Sequence, residues 1–307
     1  MISSTIIVSG SQYPPLVLLV IVLALGNASR AEETSASGVT PATDKALSEP
    51  PDQNDPEALF RLGKAYETGN GVQRDEAKAF GYYQKAAELG HPKARHNLAV
   101  MYAKGASVKR DEREAFKWFR KAAEQGAVLS QFACGCMLEE GKGTEKSAAE
   151  AAVWLRKAAE QGHLESQYRL GQLYFFAPDG IKMDLPEAVK WYEKAAEQKH
   201  PGAANALGAL YERGGGVKQS STEAFRLYQI AADGGEAKGQ ANLGRCYSTG
   251  VGIDRDPIQA YRWLKRSSNQ GEVTGANSLA EFRQVLKKEQ IAEGERLAEE
   301  DMKDGQK

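Results

Sequence analysis

The stretch WLRKAAEQGHLESQYRLGQLY, Trp154–Tyr174, decides the fold. Taken alone it crowds Lys157, Glu160, His163, Glu165 and Ser166 together as a catalytic cluster would. Nearly the same words recur along the chain, however. Leu-Gly, or a stand-in for it, falls at Leu62, Leu98, Cys134, Leu170, Leu207, Leu243 and Leu279, in steps of 36, 36, 36, 37, 36 and 36 residues. An alanine pair keeps step with it at Ala86-Ala87, Ala122-Ala123, Ala158-Ala159, Ala195-Ala196 and Ala231-Ala232, and ends as Ser267-Ser268. Two markers with one period are the signature of a repeat array.

Each unit reads as two helices. In the first, Ala58, Leu62, Gly63 and Tyr66 follow helical spacing rather than strand alternation. A glycine turn such as Gly69–Val72 or Gly250–Ile253 ends it, glycine being the residue that takes positive φ without cost. The second helix opens at Asp75, Asp111, Ser147, Asp184, Ser220 or Asp256. Glu or Gln stands three residues on at Glu114, Glu150, Glu187, Glu223 and Gln259, which predicts a capping box in five of the six units. Pro186 and Pro257 sit just inside two of these caps, where a missing N–H does no harm. A bulky pair follows (Tyr82-Tyr83, Trp118-Phe119, Trp154-Leu155, Trp191-Tyr192, Leu227-Tyr228, Trp263-Leu264), then the alanine pair, then a closing glycine at Gly90, Gly126, Gly162, Gly235 and Gly271. Two helices cannot bury such residues, so neighbouring hairpins must stack.

This unit, A-x-x-x-L-G-x-x-Y, then G-x-G-V, then a capped W-Y-x-K-A-A-E-x-G helix, resembles the Sel-one-like repeat, a relative of the tetratricopeptide repeat. The resemblance covers about residues 55–283, as six units plus the first helix of a seventh. It implies an all-α fold, a right-handed α-solenoid of stacked helix-turn-helix hairpins, and an adaptor that binds proteins or peptides without catalysis. Three places depart from the pattern: Ser107 replaces a turn glycine, Lys199 replaces a closing glycine, and the fourth unit's turn, FFAPDGIKMD, has one extra residue. The charged tail, helical in composition from about Ala280 to Lys303 and assigned to residues 284–307 as a capping region, is expected to cover the last apolar face.

Residues 1–31 read as an export signal, with LVLLVIVLAL at Leu16–Leu25 and small residues at Ala28 and Ala31. The run is short for a membrane span of about 30 Å, though the absence of a basic leader keeps an uncleaved anchor open. No cysteine follows it, so a lipid anchor is not indicated. Residues 32–54 read as a solvated linker. The destination is the periplasm or exterior for a bacterial protein and the endoplasmic reticulum lumen for a eukaryotic one. Lys+Arg 40 against Asp+Glu 41 leave a formal charge of -1 in 307 residues, which offers no field for nucleic acid.

The chemical motifs are weak. Glycine pairs such as Gly69/Gly71 and Gly141/Gly143 lack the third glycine and the preceding strand of a dinucleotide site. The nearest Walker-like sequence has Cys136 in place of its first glycine and Gly143 in place of Ser or Thr. His91, His163 and His200 share one slot before a first helix, and with His96 they give no metal-ligand spacing, so no metal and no cofactor is expected. Cys134 and Cys246 are expected in the core and Cys136 at the surface. A cysteine-rich branch of the resembled family carries a disulfide in each repeat and is linked to β-lactam binding; three cysteines do not fit it. No S-x-x-K, K-T-G or G-x-S-x-G occurs, and a cell-envelope hydrolase or β-lactam-binding protein stays as the alternative to a scaffold.

If the first helices line a concave side, their outward slots hold Phe60, Arg61, Lys64, Asn97, Phe132, Tyr168, Arg169, Gln172, Asn242 and Arg245. Asparagines there would hold a peptide backbone and cations would meet its carboxylates, and ordinary solvated positions are the competing explanation. Three large rings favour a groove. The expected partner is a protein or peptide, bound by a monomeric array.

Overall fold

The computed structural model describes residue 52 and residues 54–304. The expected export signal, nearly all of the expected linker and the last three residues lie outside the described residues. Fourteen helices account for the regular structure among those described. The chain divides into two compact units, 1–147 and 148–307. The first contains α1 (Pro56–Thr68), α2 (Glu76–Glu88), α3 (Pro92–Lys104), α4 (Glu112–Glu124) and α5 (Val128–Glu140). The second contains α6 (Ala148–Glu160), α7 (Leu164–Phe176), α8 (Leu185–Glu197), α9 (Pro201–Arg213), α10 (Ser221–Asp233), α11 (Ala237–Thr249), α12 (Pro257–Asn269), α13 (Val273–Arg283) and α14 (Lys288–Asp304). In each unit the hairpins stack side by side, as in an all-α solenoid. α1 pairs with α2 and α3 with α4 in the first; α7 pairs with α8, α9 with α10 and α11 with α12 in the second. The second helix of each hairpin also packs on the first helix of the next.

The Leu-Gly glycine sets the spacing inside a hairpin. A Cβ on Gly63 would stand 2.7 Å from the Tyr83 ring, one on Gly171 2.6 Å from Tyr192, and one on Gly208 2.8 Å from Tyr228. At these three positions glycine leaves the room in which the second helix presses a large ring onto the first, while in the second repeat the slot holds Ala99, with Phe119 in the ring position. Between hairpins the alanine pair does the same. A Cβ on Gly239 would come within 2.5 Å of Ala231, and the matching slot holds Ala94, Ser130, Ser166 and Ala203, all buried.

This close stacking brings polar side chains to carbonyls at the C-terminal ends of the second helices. Arg95 Nε donates to Ala87 O at 3.0 Å, and the buried amides of Gln131, Gln167 and Gln240 donate to Ala123 O, Ala159 O and Ala232 O at 3.2, 3.2 and 3.4 Å. Gln198 and Gln270 then donate to the Oε1 atoms of Gln167 and Gln240, at 2.8 and 2.9 Å. On the outer side the lysine of W-x-x-K lies over its own tryptophan, Lys121 on Trp118 and Lys157 on Trp154 at 4.1 Å and Lys194 on Trp191 at 4.3 Å.

Asp75, Asp111, Asp184, Ser220 and Asp256 cap their helices as expected, accepting N–H groups of the first turn. The reciprocal half of the capping box is not what forms. Each cap residue's own N–H donates instead to a carbonyl at the end of the preceding helix: Asp75 to Tyr66, Asp111 to Tyr102, Ser147 to Leu138, Asp184 to Tyr174, Ser220 to Tyr211 and Asp256 to Tyr247, at 2.9–3.1 Å. The glycine turn folds the cap back over a carbonyl that lacks a helical partner, and that acceptor wins. The glutamates turn to neighbours: Glu114 accepts from Lys117, Glu223 from Arg226 and Glu187 from the Trp191 indole.

The three departures from the repeat pattern are borne by the backbone. Ser107 (φ 60), Ala177 (φ 47) in the fourth unit's turn, and Lys199 (φ 63) are the non-glycine residues with positive φ among those described. The second turn glycine has a further role. A Cβ on Gly143 would lie 2.0 Å from Glu112 O and one on Gly252 2.2 Å from Ser221 O, so this glycine rests on the start of the previous hairpin's second helix.

The tail is the single helix α14, which lies on α12, the second helix of the sixth repeat. Gly294 lies against the Tyr261 ring, Tyr261 donates to Glu295 at 2.7 Å, and Arg262 and Arg266 hold Asp301 at 2.6 and 3.0 Å. α13 buries only Gly275, and Val273 and Val285 are 69% and 76% exposed.

Lys199→Gly removes a left-handed lysine and is expected to stabilise the chain by about 1 kcal/mol. Gly252→Ala adds both strain and a backbone collision and is expected to cost more than about 2 kcal/mol. Urea denaturation of both variants measures these changes, and a destabilised Lys199→Gly would contradict the account of the departures.

Candidate partner-binding surface

The faces of the first helices are built from rings that reach between them. In the first unit the Tyr83 ring presses on Gly63 and its hydroxyl donates to Glu67 at 2.6 Å, with the Asn97 side chain also hydrogen-bonded to it from α3. In the second unit Tyr228 presses on Gly208 and donates to Glu212 Oε2 at 2.8 Å, and Arg245 from α11 donates to the same oxygen at 2.6 Å. Burial, reinforced by the neighbouring carboxylate, pushes both tyrosine hydroxyls above their ordinary range. Burial would raise Glu212 as well, but the hydrogen bonds from Arg245 and Tyr228 outweigh it and hold the carboxyl low. Beside them Asn242 donates to Asn205 Oδ1 at 2.8 Å, linking α9 and α11.

A second construction appears once in each unit. His91 and His200 are N-caps of α3 and α9, their Nδ1 atoms accepting the Ala94 and Ala203 N–H groups at 3.1 Å. An accepting Nδ1 leaves the proton of the neutral ring on Nε2. That atom donates back to the preceding hairpin, to Glu57 at 2.9 Å from His91 and to Glu165 at 3.2 Å from His200. Phe60 stacks on His91 with centroids 4.5 Å apart, and Tyr168 on His200 at 4.3 Å. His163 caps α7 in the same way through the Ser166 N–H. His96 is different: half-buried, it meets Ser130 Oγ at 2.8 Å, and desolvation lowers it to about 4, so it stays neutral.

The expected site residues fall into three groups. Asn242 and Arg245 lie together on α11, half-buried at the seam with α9, while Asn97 occupies the Asn242 slot in the first unit. Phe60, Arg61, Tyr168 and Arg169 belong to the histidine clasps, the arginines bonded to Glu57 at 3.0 Å and to Glu165 at 3.3 Å. Lys64 and Gln172 lie half-buried on α1 and α7. Phe132 is a correction: only 6% exposed, it is part of the core and not an open groove wall, because α5 is buried on nearly every side. Cys136 is a second correction, fully buried where a surface thiol was expected, for the same reason. No disulfide links the three cysteines, and burial pushes the Cys134 and Cys246 thiols up to about 12 and about 11.

Counting the outward slots alone makes the lining look basic, and the structure corrects this too. Glu57, Glu165 and Glu212 stand in other slots and neutralise Arg61, Arg169 and Arg245. Those glutamates, with Tyr83, Tyr228 and the buried glutamines, are what the reading of outward slots missed. The signal was in the repeats themselves, since Glu67 with Tyr83 and Glu212 with Tyr228 recur in the same two positions of their units. Among the described residues no group of His, Cys, Asp and Glu is arranged to hold a metal, and no helix is long and apolar enough to cross a membrane.

The family model described as Sel1 repeat matches residues 56–91, 92–126, 128–163, 164–200, 201–236 and 237–272. The crystal structure of a Sel1 repeat protein from Oxalobacter formigenes is 31% identical over 81% of this chain and 96% of its own, with a TM-score of 0.59. A protective antigen with an SLR fold from uropathogenic Escherichia coli is 25% identical over 81% of this chain and 68% of its own, with a TM-score of 0.38. An immunity protein from Pseudomonas aeruginosa is 22% identical over 77% and 89%, with a TM-score of 0.38. No curated protein matches the chain significantly.

The clasp separates two contributions. His200→Ala removes both the cap and the link to Glu165 and is expected to cost about 1–2 kcal/mol, whereas His200→Asn keeps a good cap and recovers about half. His200 and Arg169 hold the Glu165 carboxyl below its ordinary value of 4.5 against the effect of burial, so that stabilisation is present above about pH 4.5 and is lost as pH falls below it. The stability gap between wild type and Glu165→Gln, followed by urea denaturation against pH, is expected to close on the acid side; a gap that widens there would contradict the clasp.

Proposed function

The chain belongs to the Sel1 repeat family, and from that premise we propose that it is an exported scaffold holding a protein or peptide partner against the faces of its first helices. Sel1 repeat proteins generally mediate protein–protein interaction, and the repeat scaffold is generally non-catalytic. The observation that carries the reading is the seam between α9 and α11, where Asn205, Glu212, Asn242 and Arg245 meet on the first-helix face. The bond to Asn205 uses one donor of the Asn242 amide and leaves its second N–H and its carbonyl for the backbone of an extended chain. Arg245 gives Nη2 to Glu212 and keeps the rest of its five donors for a carboxylate.

Export rests on the apolar run Leu16–Leu25 and the small residues after it. The balanced charge of -1 argues for a protein or peptide rather than a polyanion. Proximity labelling from the full chain in its own cell is expected to mark proteins of the secretory or envelope compartment, and purely cytosolic neighbours would refute export. Binding of the dominant neighbour, purified, is expected to weaken at least about tenfold in Asn242→Ala/Arg245→Ala with an unchanged far-UV helix signal. Unchanged binding would remove the seam from the contact.

A further inference from the structure

Repeats one and five fill the space between successive first helices with a tyrosine, and repeat six leaves the matching space open. In repeat five the glutamate, tyrosine and asparagine slots are Glu212, Tyr228 and Asn242, and in repeat one they are Glu67, Tyr83 and Asn97. In repeat six all three are smaller: Ser248, Leu264 and Ser278. There the structure has an open cleft of about 340 Å³ between α11 and α13, floored by Leu264 and walled by Arg245, Ser248, Ser278, Glu281, Phe282 and Val285. The glycine that would receive a ring is still present. A Cβ on Gly244 would stand 2.8 Å from Leu264, the same approach as Gly208 makes to Tyr228.

The chemistry of the walls narrows the occupant. Tyrosine hydroxyls elsewhere in this chain donate to glutamates, Tyr83 to Glu67 at 2.6 Å, Tyr228 to Glu212 at 2.8 Å, Tyr261 to Glu295 at 2.7 Å and Tyr211 to Glu193 at 3.4 Å. The cleft presents Glu281, an exposed carboxylate with no side-chain partner among the described residues. The Ser248 hydroxyl is spent on Arg245 O at 2.9 Å, which leaves it as an acceptor. Phe282 and Val285 offer apolar surface to the ring face, and α14 does not cover them because it lies on α12.

We propose that this cleft is a tyrosine-binding subsite, in which a tyrosine side chain of the partner fills the space beyond Leu264 that the larger side chain of Tyr228 takes up one repeat earlier. Its ring lies over Leu264 against Phe282, and its hydroxyl donates to Glu281. The subsite deepens the scaffold reading and rests on it, because the guest tyrosine belongs to the protein or peptide held along the first helices. The cleft adjoins Arg245, so one extended segment engages the seam and the subsite together.

The test uses the full chain and three small probes, N-acetyl-tyrosinamide, N-acetyl-phenylalaninamide and N-acetyl-alaninamide, titrated against amide NMR signals. Saturable shifts at Ser248, Ser278 and Phe282 are expected with the tyrosine probe, about tenfold weaker with phenylalanine and absent with alanine. Leu264→Tyr fills the cleft from within, as Tyr228 does opposite Gly208, and is expected to abolish the shifts. Glu281→Gln, on an exposed residue, is expected to remove the preference for tyrosine over phenylalanine even if Leu264→Tyr does not fold. Equal shifts with all three probes, no shifts, shifts that survive Leu264→Tyr in a folded chain, or an undiminished tyrosine preference in Glu281→Gln would each overturn the subsite. Partner binding that falls in Asn242→Ala/Arg245→Ala while the probes give no shifts refutes the subsite and leaves the scaffold; tyrosine-dependent shifts with unaltered partner binding refute the seam alone.

Discussion

The approach of a large ring to a bare glycine on the neighbouring helix is the contact on which the rest depends. Gly63 under Tyr83, Gly171 under Tyr192 and Gly208 under Tyr228 each lack the Cβ that would collide with the ring. Where the ring is tyrosine, pressing it onto the glycine carries its hydroxyl past the helix to the surface between first helices. A buried phenol needs an acceptor, and Glu67 and Glu212 supply it. The packing requirement of the hairpin thus decides which polar groups stand on the face offered to a partner. Where the ring shrinks to Leu264, the same geometry leaves a cleft.

The contacts between hairpins follow a similar logic of satisfying backbone groups with whatever the stacking brings near. The buried amides of Gln131, Gln167 and Gln240 give the carbonyls of Ala123, Ala159 and Ala232 a second donor beside the N–H of the closing glycine, and so satisfy themselves away from water. The N–H groups of the caps go to carbonyls of the preceding helix, not to glutamates three residues on. A capping box is a solution for a helix start that has only its own residues to use. Here the glycine turn offers a better-placed acceptor, and the glutamates are released to the surface.

The candidate surface was half legible. Asn242 and Arg245 were recognisable because their slot is fixed by the helical angle from Leu243 and Gly244. Phe60 and Tyr168 were placed on the correct helices, yet their rings serve as platforms for His91 and His200 of the next hairpin. Phe132, in the same slot, is buried in α5. One slot therefore has different surroundings in different repeats, which periodicity treats as equal. In sequence His91 and His200 show only a shared slot before a first helix, and in the structure they are caps bonded to the hairpin before them.

The sequence by itself determined the helical hairpins, their period, the cap residues and the turn glycines, and even located the three strained backbone positions at Ser107, Lys199 and the fourth unit's turn. Each of these depends on residues within a turn or two of one another, where covalent geometry and local hydrogen bonding decide. Only the tertiary structure decided which acid meets which cation, where the cap N–H groups go, that α14 lies on α12, and that the smaller side chains of the sixth repeat leave a cleft. Arg245 and Glu212 are a repeat apart in sequence and 2.6 Å apart in space. Such pairings are set by how closely hairpins stack, and a sum of excluded volumes across several helices is not written in any one of them.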